Sequence, residues 1–327
     1  MSKQFRFRAS LALLAALVLA FGLAACGSDD DSSDDSSSDS GGGSLIEENA
    51  DNNGVSLTIG SKNFTEQIVL GEIYAQALEA AGYDVDTDLN LGSEQVALKT
   101  LQAGEISAYP EYTSTALTSF FGAASEDVPE DPQDGYEQAK AEFEKEGLTA
   151  FPPTPFESAN AVGLLSSTAD DLGVTTVSDL EGKSQDLTLY GSPECRQRVD
   201  CLVGLEDDYG LEFKSFTPVD IAARYEVLDK GQADLSILFT TDAQLGANDK
   251  YTILEDDKNV FPPGNVIMVT DQKVVDEAGP DFQSTVEAAQ ADLTDDVIQE
   301  LDARVDLDKE QPADVATEYL QQAGLVE

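Results

Sequence analysis

The sequence predicts an α/β protein of two lobes with a ligand cleft between them. Three observations carry that reading. Alternating strand-like and helix-periodic segments follow one another from residue 55 on. About 273 residues remain from Val55, enough for two lobes of ordinary size. Obvious linkers are few, and no internal repeat breaks the alternation.

Val55 to Gly60 alternates apolar and polar residues, a strand pattern. Residues 65 to 81 then switch to helical period, with Ile68, Val69, Ile73, Ala77, Leu78 and Ala81 on one stripe. Asn63 and Glu66 are spaced as a capping pair, and Gly82 suits the position after the helix. Tyr83 to Leu91 alternates again. Ser93 is placed to cap a helix over 94 to 103, closed by Gly104, and Ile106 to Tyr109 reads as a third strand. This β-α-β-α-β opening predicts a parallel sheet.

A Pro- and acid-rich stretch at 125 to 135 interrupts, and 136 to 147 reads as helix. Strands are expected at Ala159 to Leu165, Leu187 to Tyr190, Leu235 to Phe239 and Val266 to Thr270, with a helix around 219 to 230. From 272 the chain reads as amphipathic helix, with Pro312 near the start of the last one.

The N-terminus is of another kind. Lys3, Arg6 and Arg8 precede an apolar run over 11 to 25, about the length of a signal-peptide core and short for a bilayer span. The run ends in Leu23-Ala24-Ala25-Cys26, which resembles a bacterial lipobox with Cys26 as the acylated residue. Residues 1–25 therefore read as a lipoprotein signal peptide. Residues 26–54 hold the lipidated cysteine and a disordered Asp/Ser/Gly tether, because such a segment cannot bury enough apolar surface to order itself. The expected location is the extracytoplasmic face of the cell membrane, by lipid anchor.

Composition excludes several functions. Acidic residues outnumber basic ones 64 to 18, for a net charge of −46. Nucleic acid and anionic lipid headgroups are poor partners for such a surface. No histidine is present, which removes Ser-His-Asp and Cys-His nucleophile pairs and His-based metal sites. Cofactors and metals are not expected, nor is an enzyme. Cys195 and Cys201 stand six apart in an exported chain and are expected to pair as a disulfide, two free thiols being the alternative.

In open α/β sheets ligands sit beyond the carboxyl ends of strands. Segments 60 to 66, 109 to 115 and 239 to 242 fit that description. Longer strings add to it. IGSKNFTEQIVLGEIYAQALEAAGY (59–83) and LNLGSEQVALKTLQAGEISAYPEYTSTAL (89–117) closely resemble the substrate-binding lipoproteins of osmoprotectant ABC importers. So do Tyr209-Gly210 with Phe213, ARYEVL with Gly231 and Asp234, FTTDAQL and LEDDKNVFPP. The resemblance covers nearly all of 57–327 and implies a type II periplasmic-binding-protein fold. Lobe 1 is then 55–157 plus 265–327, and lobe 2 is 158–264, with the chain crossing near 157–164 and 258–266. It implies a monomeric receptor that delivers a quaternary amine, of the glycine betaine, choline or carnitine type, to a membrane permease.

Such ligands are held by ring faces, since a quaternary ammonium has no N–H to donate. On this resemblance the ligand contacts are Lys62, Asn63, Thr65, Tyr112, Thr115, Asn160, Arg198, Phe239 and Asp242. Tyr112 and Phe239 match cage rings. Asn160 and Gly264 stand where relatives carry aromatics. Either the site is opened at Gly264 for a larger or more polar solute, or the cage is completed by Tyr109 or Tyr225. Lys62, Asn63 and Thr65 also read as helix-cap residues, Asp242 as the cap of the next helix, and Arg198 as an anchor for the cysteine loop. The competing functions are a receptor for an amino acid or betaine-bearing amino acid, an extracellular carboxylate-dependent hydrolase, and a surface sensor or adhesion module without a transporter.

Overall fold

The computed structural model describes residues 44–327. The signal peptide, Cys26 and most of the tether lie outside the described residues. The last part of the expected tether is tied down instead. Ile46 donates its amide to Leu325 O (2.9 Å) and Asn49 to Ala81 O (3.0 Å), and the Asn52 side chain is buried. Ile46 and Val55 supply apolar contact that the preceding Asp/Ser run lacks.

Among the described residues, eleven strands form two mixed sheets: β1 (Ser56–Gly60), β2 (Asp84–Asp88), β3 (Ala108–Tyr112), β4 (Leu148–Ala150), β5 (Glu157–Ser158), β6 (Asn160–Leu165), β7 (Thr188–Gly191), β8 (Ser215–Pro218), β9 (Leu235–Phe239), β10 (Tyr251–Ile253) and β11 (Gly264–Asp271). The first sheet runs β2-β1-β3-β11-β4, with β5 also on β11, and the second runs β10-β6-β9-β7-β8. The expected parallel sheet holds for β1, β2 and β3. Beyond that opening, β11 runs antiparallel to β3 and β4 because it re-enters the first sheet from the second. Short β5 pairs with the start of β11, Ser158 opposite Gly264, so the two chain crossings lie side by side.

β3 starts and ends later than its hydrophobic run. Pro110 sits inside it, and a proline normally argues against a central strand. Here the ladder to β1 is confined to Ile59 and Ala108, before the proline is reached.

The helix Thr65–Ala80 buries Val69, Leu70, Ile73, Tyr74, Ala75, Ala77 and Leu78, more than half its circumference, while Ile68 of the expected stripe is only half-buried. It is a middle layer. The first sheet covers one side and the helices Pro280–Gln290, Asp295–Asp306 and Pro312–Gln322 cover the other. Its cap also departs from expectation. Phe64 is the N-cap and makes no side-chain cap bond; the Asn63 amide goes to Gly92 O, and Glu66 is turned toward Tyr112. A separate core, including Val162, Leu164, Leu189, Leu205 and Leu235, supports the second sheet. Among the described residues no helix is long and apolar enough to cross a membrane.

Candidate ligand cleft

The carboxyl ends of β1, β3 and β9 open onto one cleft between the sheets, enclosing about 930 Å³ counting its mouth. From the first lobe come Lys62, Asn63, Phe64, Glu94, Tyr112 and Thr115; from the second, Asn160, Arg198, Asp200, Arg224 and Phe239 face them.

Three rings meet there. Phe64 and Tyr112 are stacked with centroids 6.3 Å apart, and Phe64 lies 5.2 Å from Phe239 at 47°. Two protein cations already use these faces. Lys62 Nζ is 4.4 Å from the Tyr112 centroid and 5.8 Å from that of Phe64. The Arg224 guanidinium lies 4.6 Å from the Phe239 ring. A cation is therefore at home on each wall.

Lys62, Arg198 and Arg224 each have an internal acid. Lys62 pairs with fully buried Glu111, which also accepts from the Tyr112 amide (2.8 Å) and the Tyr109 hydroxyl (3.3 Å). Arg198 forks onto Asp200, its Nε donating at 2.8 Å, and it reaches Thr115 Oγ1 at 3.4 Å. Asp200 in turn accepts from Thr118 of the first lobe (3.3 Å), so this pair bridges the cleft. Arg224 forks onto Asp242, with Nε donating at 3.0 Å. Burial works against the Arg198 and Arg224 charges, but Asp200 and Asp242 outweigh it and raise both guanidinium pKa values.

Cys195 and Cys201 are joined in the structure, Cα atoms 5.1 Å apart, and both line the cleft. The loop they close carries Arg198 and Asp200 to its wall.

Gly264 is not open space. A Cβ built there would run into Ser114 Oγ and lie 2.8 Å from Ser114 N, because β11 presses against the chain after β3. Gly264→Ala is expected to destabilise the fold by about 1–3 kcal/mol through overpacking, read by urea denaturation; an unchanged midpoint would mean Ser114 yields freely. Tyr109 is wholly buried on Glu111, and the Tyr225 hydroxyl is spent on Asp242 at 2.8 Å. Neither ring lines the cleft. Phe64 and Phe261 are the additional aromatics there.

A family model described as the substrate binding domain of ABC-type glycine betaine transport systems matches residues 55–322. The chain belongs to this family. This substrate-binding domain is 31% identical to a glycine-betaine-binding protein of Pseudomonas aeruginosa, over 83% of this chain and 89% of that one. It is 25% identical to the carnitine transport binding protein OpuCC of Listeria monocytogenes, over 83% of this chain and 88% of that one. A solved glycine betaine/carnitine/choline ABC transporter structure superposes with TM-score 0.63 at 25% identity, covering 81% of this chain and 98% of that one. The fold is thus the two-lobed type II binding-protein fold, and the chain is a solute receptor that works with an ABC permease.

Seven of the nine expected contact residues line the receptor's cleft: Lys62, Asn63, Tyr112, Thr115, Asn160, Arg198 and Phe239. Asn160 donates to Asp200 O at 3.0 Å. Thr65 and Asp242 do not line it. Thr65 donates to Asp306 at 2.5 Å, which draws it toward the C-terminal helices. Asp242 precedes the helix Ala243–Ala247 but caps nothing there. Its carboxylate turns back to the Phe239 amide (2.9 Å) and Arg224, a stronger partner than a helix amide. Phe64, Arg224, Glu94 and Glu194 were not anticipated. The signal for Phe64 was an apolar residue at a position that normally takes Ser, Thr, Asp or Asn.

Proposed function

We propose that this receptor binds a zwitterionic quaternary amine of the glycine betaine or carnitine type and delivers it to its permease. The observation that carries the reading is the meeting of the Phe64, Tyr112 and Phe239 rings in one cleft. Rings suit the trimethylammonium head. The hydroxyls of Ser114, Thr115, Ser158 and Ser192 are available to the carboxylate end. In this reading Lys62, Asn63, Thr115, Asn160 and Arg198 contact the solute or the groups that hold it, and the lobes, 55–157 with 265–327 and 158–264, close about the paired crossings.

Calorimetric titration of the soluble fragment 44–327 tests it, with glycine betaine, carnitine, proline betaine, choline, ergothioneine and plain amino acids as titrants. Glycine betaine or carnitine binding more tightly than choline is the expected result. Heat from a plain amino acid alone would move the receptor to a different solute class. We further propose a monomer anchored through lipid on Cys26, with Cys195 and Cys201 oxidised to each other. The mass of membrane-extracted protein should show an N-terminal lipid adduct and no free thiol; an unlipidated product retaining residues 1–25 would sink the anchor.

A further inference from the structure

Behind the cage lies a polar group that no contact in the cleft explains. Glu66 is 4% exposed and accepts a hydrogen bond from the Tyr112 hydroxyl on Oε1. Its Oε2 has no partner. Close by, Asp302 of the helix Asp295–Asp306 is likewise 4% exposed, with Oδ1 unpartnered. Buried carboxylates are ordinarily satisfied, so such orphans call for a reason.

We propose that Glu66 is a positioning and charge-setting residue for the ligand, acting through Tyr112: its carboxylate orients the ring and enriches its π face, and protonating it weakens binding. The inference rests on the quaternary-amine reading above. A phenol that donates to an anion carries more negative charge on its ring than one that donates to a neutral acid. The cation is held by that ring's negative face. An ionised Glu66 behind the ring also attracts the bound cation directly across a dry interior.

The groups around Glu66 set where it titrates. Burial pushes its pKa up; the Tyr112 hydroxyl lowers it by hydrogen bonding, Asp242 raises it and Lys62 lowers it. Asp302 is raised well above the usual carboxylate range, first by burial and then by Glu66, Asp306 and Asp242, with Arg224 opposing. Asp302 is thus raised further than Glu66, whose ionised form the Tyr112 hydroxyl bond favours. Glu66 has a raised pKa in the folded, ligand-free protein, and the cationic ligand prefers its ionised form. Binding is then strong above that pKa, is lost as pH falls through it, and releases protons within that window.

The experiment is calorimetric titration of the fragment 44–327 with glycine betaine from pH 4.5 to 8.5, in buffers of contrasting ionisation enthalpy. Wild type is expected to lose affinity about fivefold as pH falls, with proton release on binding. Glu66→Gln should bind about fivefold more weakly at pH 8 and with a flat pH profile. Tyr112→Phe should flatten most of the profile while keeping a ring. Asp302→Asn, a neutral stand-in for an acid raised further than Glu66, should leave the midpoint nearly in place. Thermal melting at each pH checks that every variant is folded, and where one melts early, glutamate carboxyl NMR shifts of the wild type with and without ligand report Glu66 directly. Binding that stays pH-independent in wild type, or a Glu66→Gln profile parallel to wild type, overturns the inference and leaves the receptor's ligand class standing. No binding of glycine betaine at any pH overturns both.

Discussion

Replacing Glu111 by alanine is expected to destabilise the receptor by about 3–5 kcal/mol, the cost of leaving a buried charge without its partner. The side chains of Lys62 and Glu111 are 6% and 0% exposed. Removing the carboxylate strands an ammonium where water cannot replace it. It also strips a partner from the Tyr112 amide and the Tyr109 hydroxyl. The pair itself adds less than this figure, because both charges were desolvated to make it. Hence Lys62→Met in the Glu111→Ala background should recover much of the loss, a coupling that a double-mutant cycle in urea reads directly. A loss below about 1 kcal/mol would mean that the ammonium has found another acid or reached solvent.

Phe64→Ala is expected to weaken quaternary-amine binding by up to about thirtyfold, the equivalent of roughly 2 kcal/mol of desolvated cation–π attraction. Of the three rings, this one alone touches both other walls, stacked on Tyr112 and tilted against Phe239. Losing it removes a face and lets the remaining two drift. Titration of Phe64→Ala with glycine betaine beside Phe64→Tyr separates the causes. Tyrosine should retain most of the affinity, because a ring of the same size is restored. Affinity in Phe64→Ala within twofold of wild type would take this residue out of the cage.

Much of the fold was legible because the segments that pack deepest are also the most periodic. β6, β7, β9 and β11 fall within two residues of their hydrophobic runs, and Pro312 opens the last helix. Short edge elements left no such trace. β4, β5, β8 and β10 are two to four residues long, below the length at which alternation can be told from chance. The direction of β11 was not legible, because a strand's sequence does not encode which lobe the chain has just left. The site divides the same way. Segments at strand ends were visible as such, and most of their polar residues do meet in the cleft. What local sequence could not supply was pairing over long separations: Asp242 spent on Arg224, Thr65 on Asp306, and Gly264 closed off by Ser114. Each of these depends on a partner contributed by another element.

The closure of Lys62 and Arg224 upon their own buried acids has a consequence in brine. At 1 M salt the reach of a surface charge shrinks to about 3 Å, so the field of a chain carrying −46 all but vanishes beyond its first hydration layer. Ions in solution cannot come between Lys62 and Glu111, or easily between Arg224 and Asp242, whose side chains are 10% and 5% exposed. The geometry of these two pairs is thereby insulated from the ionic strength outside.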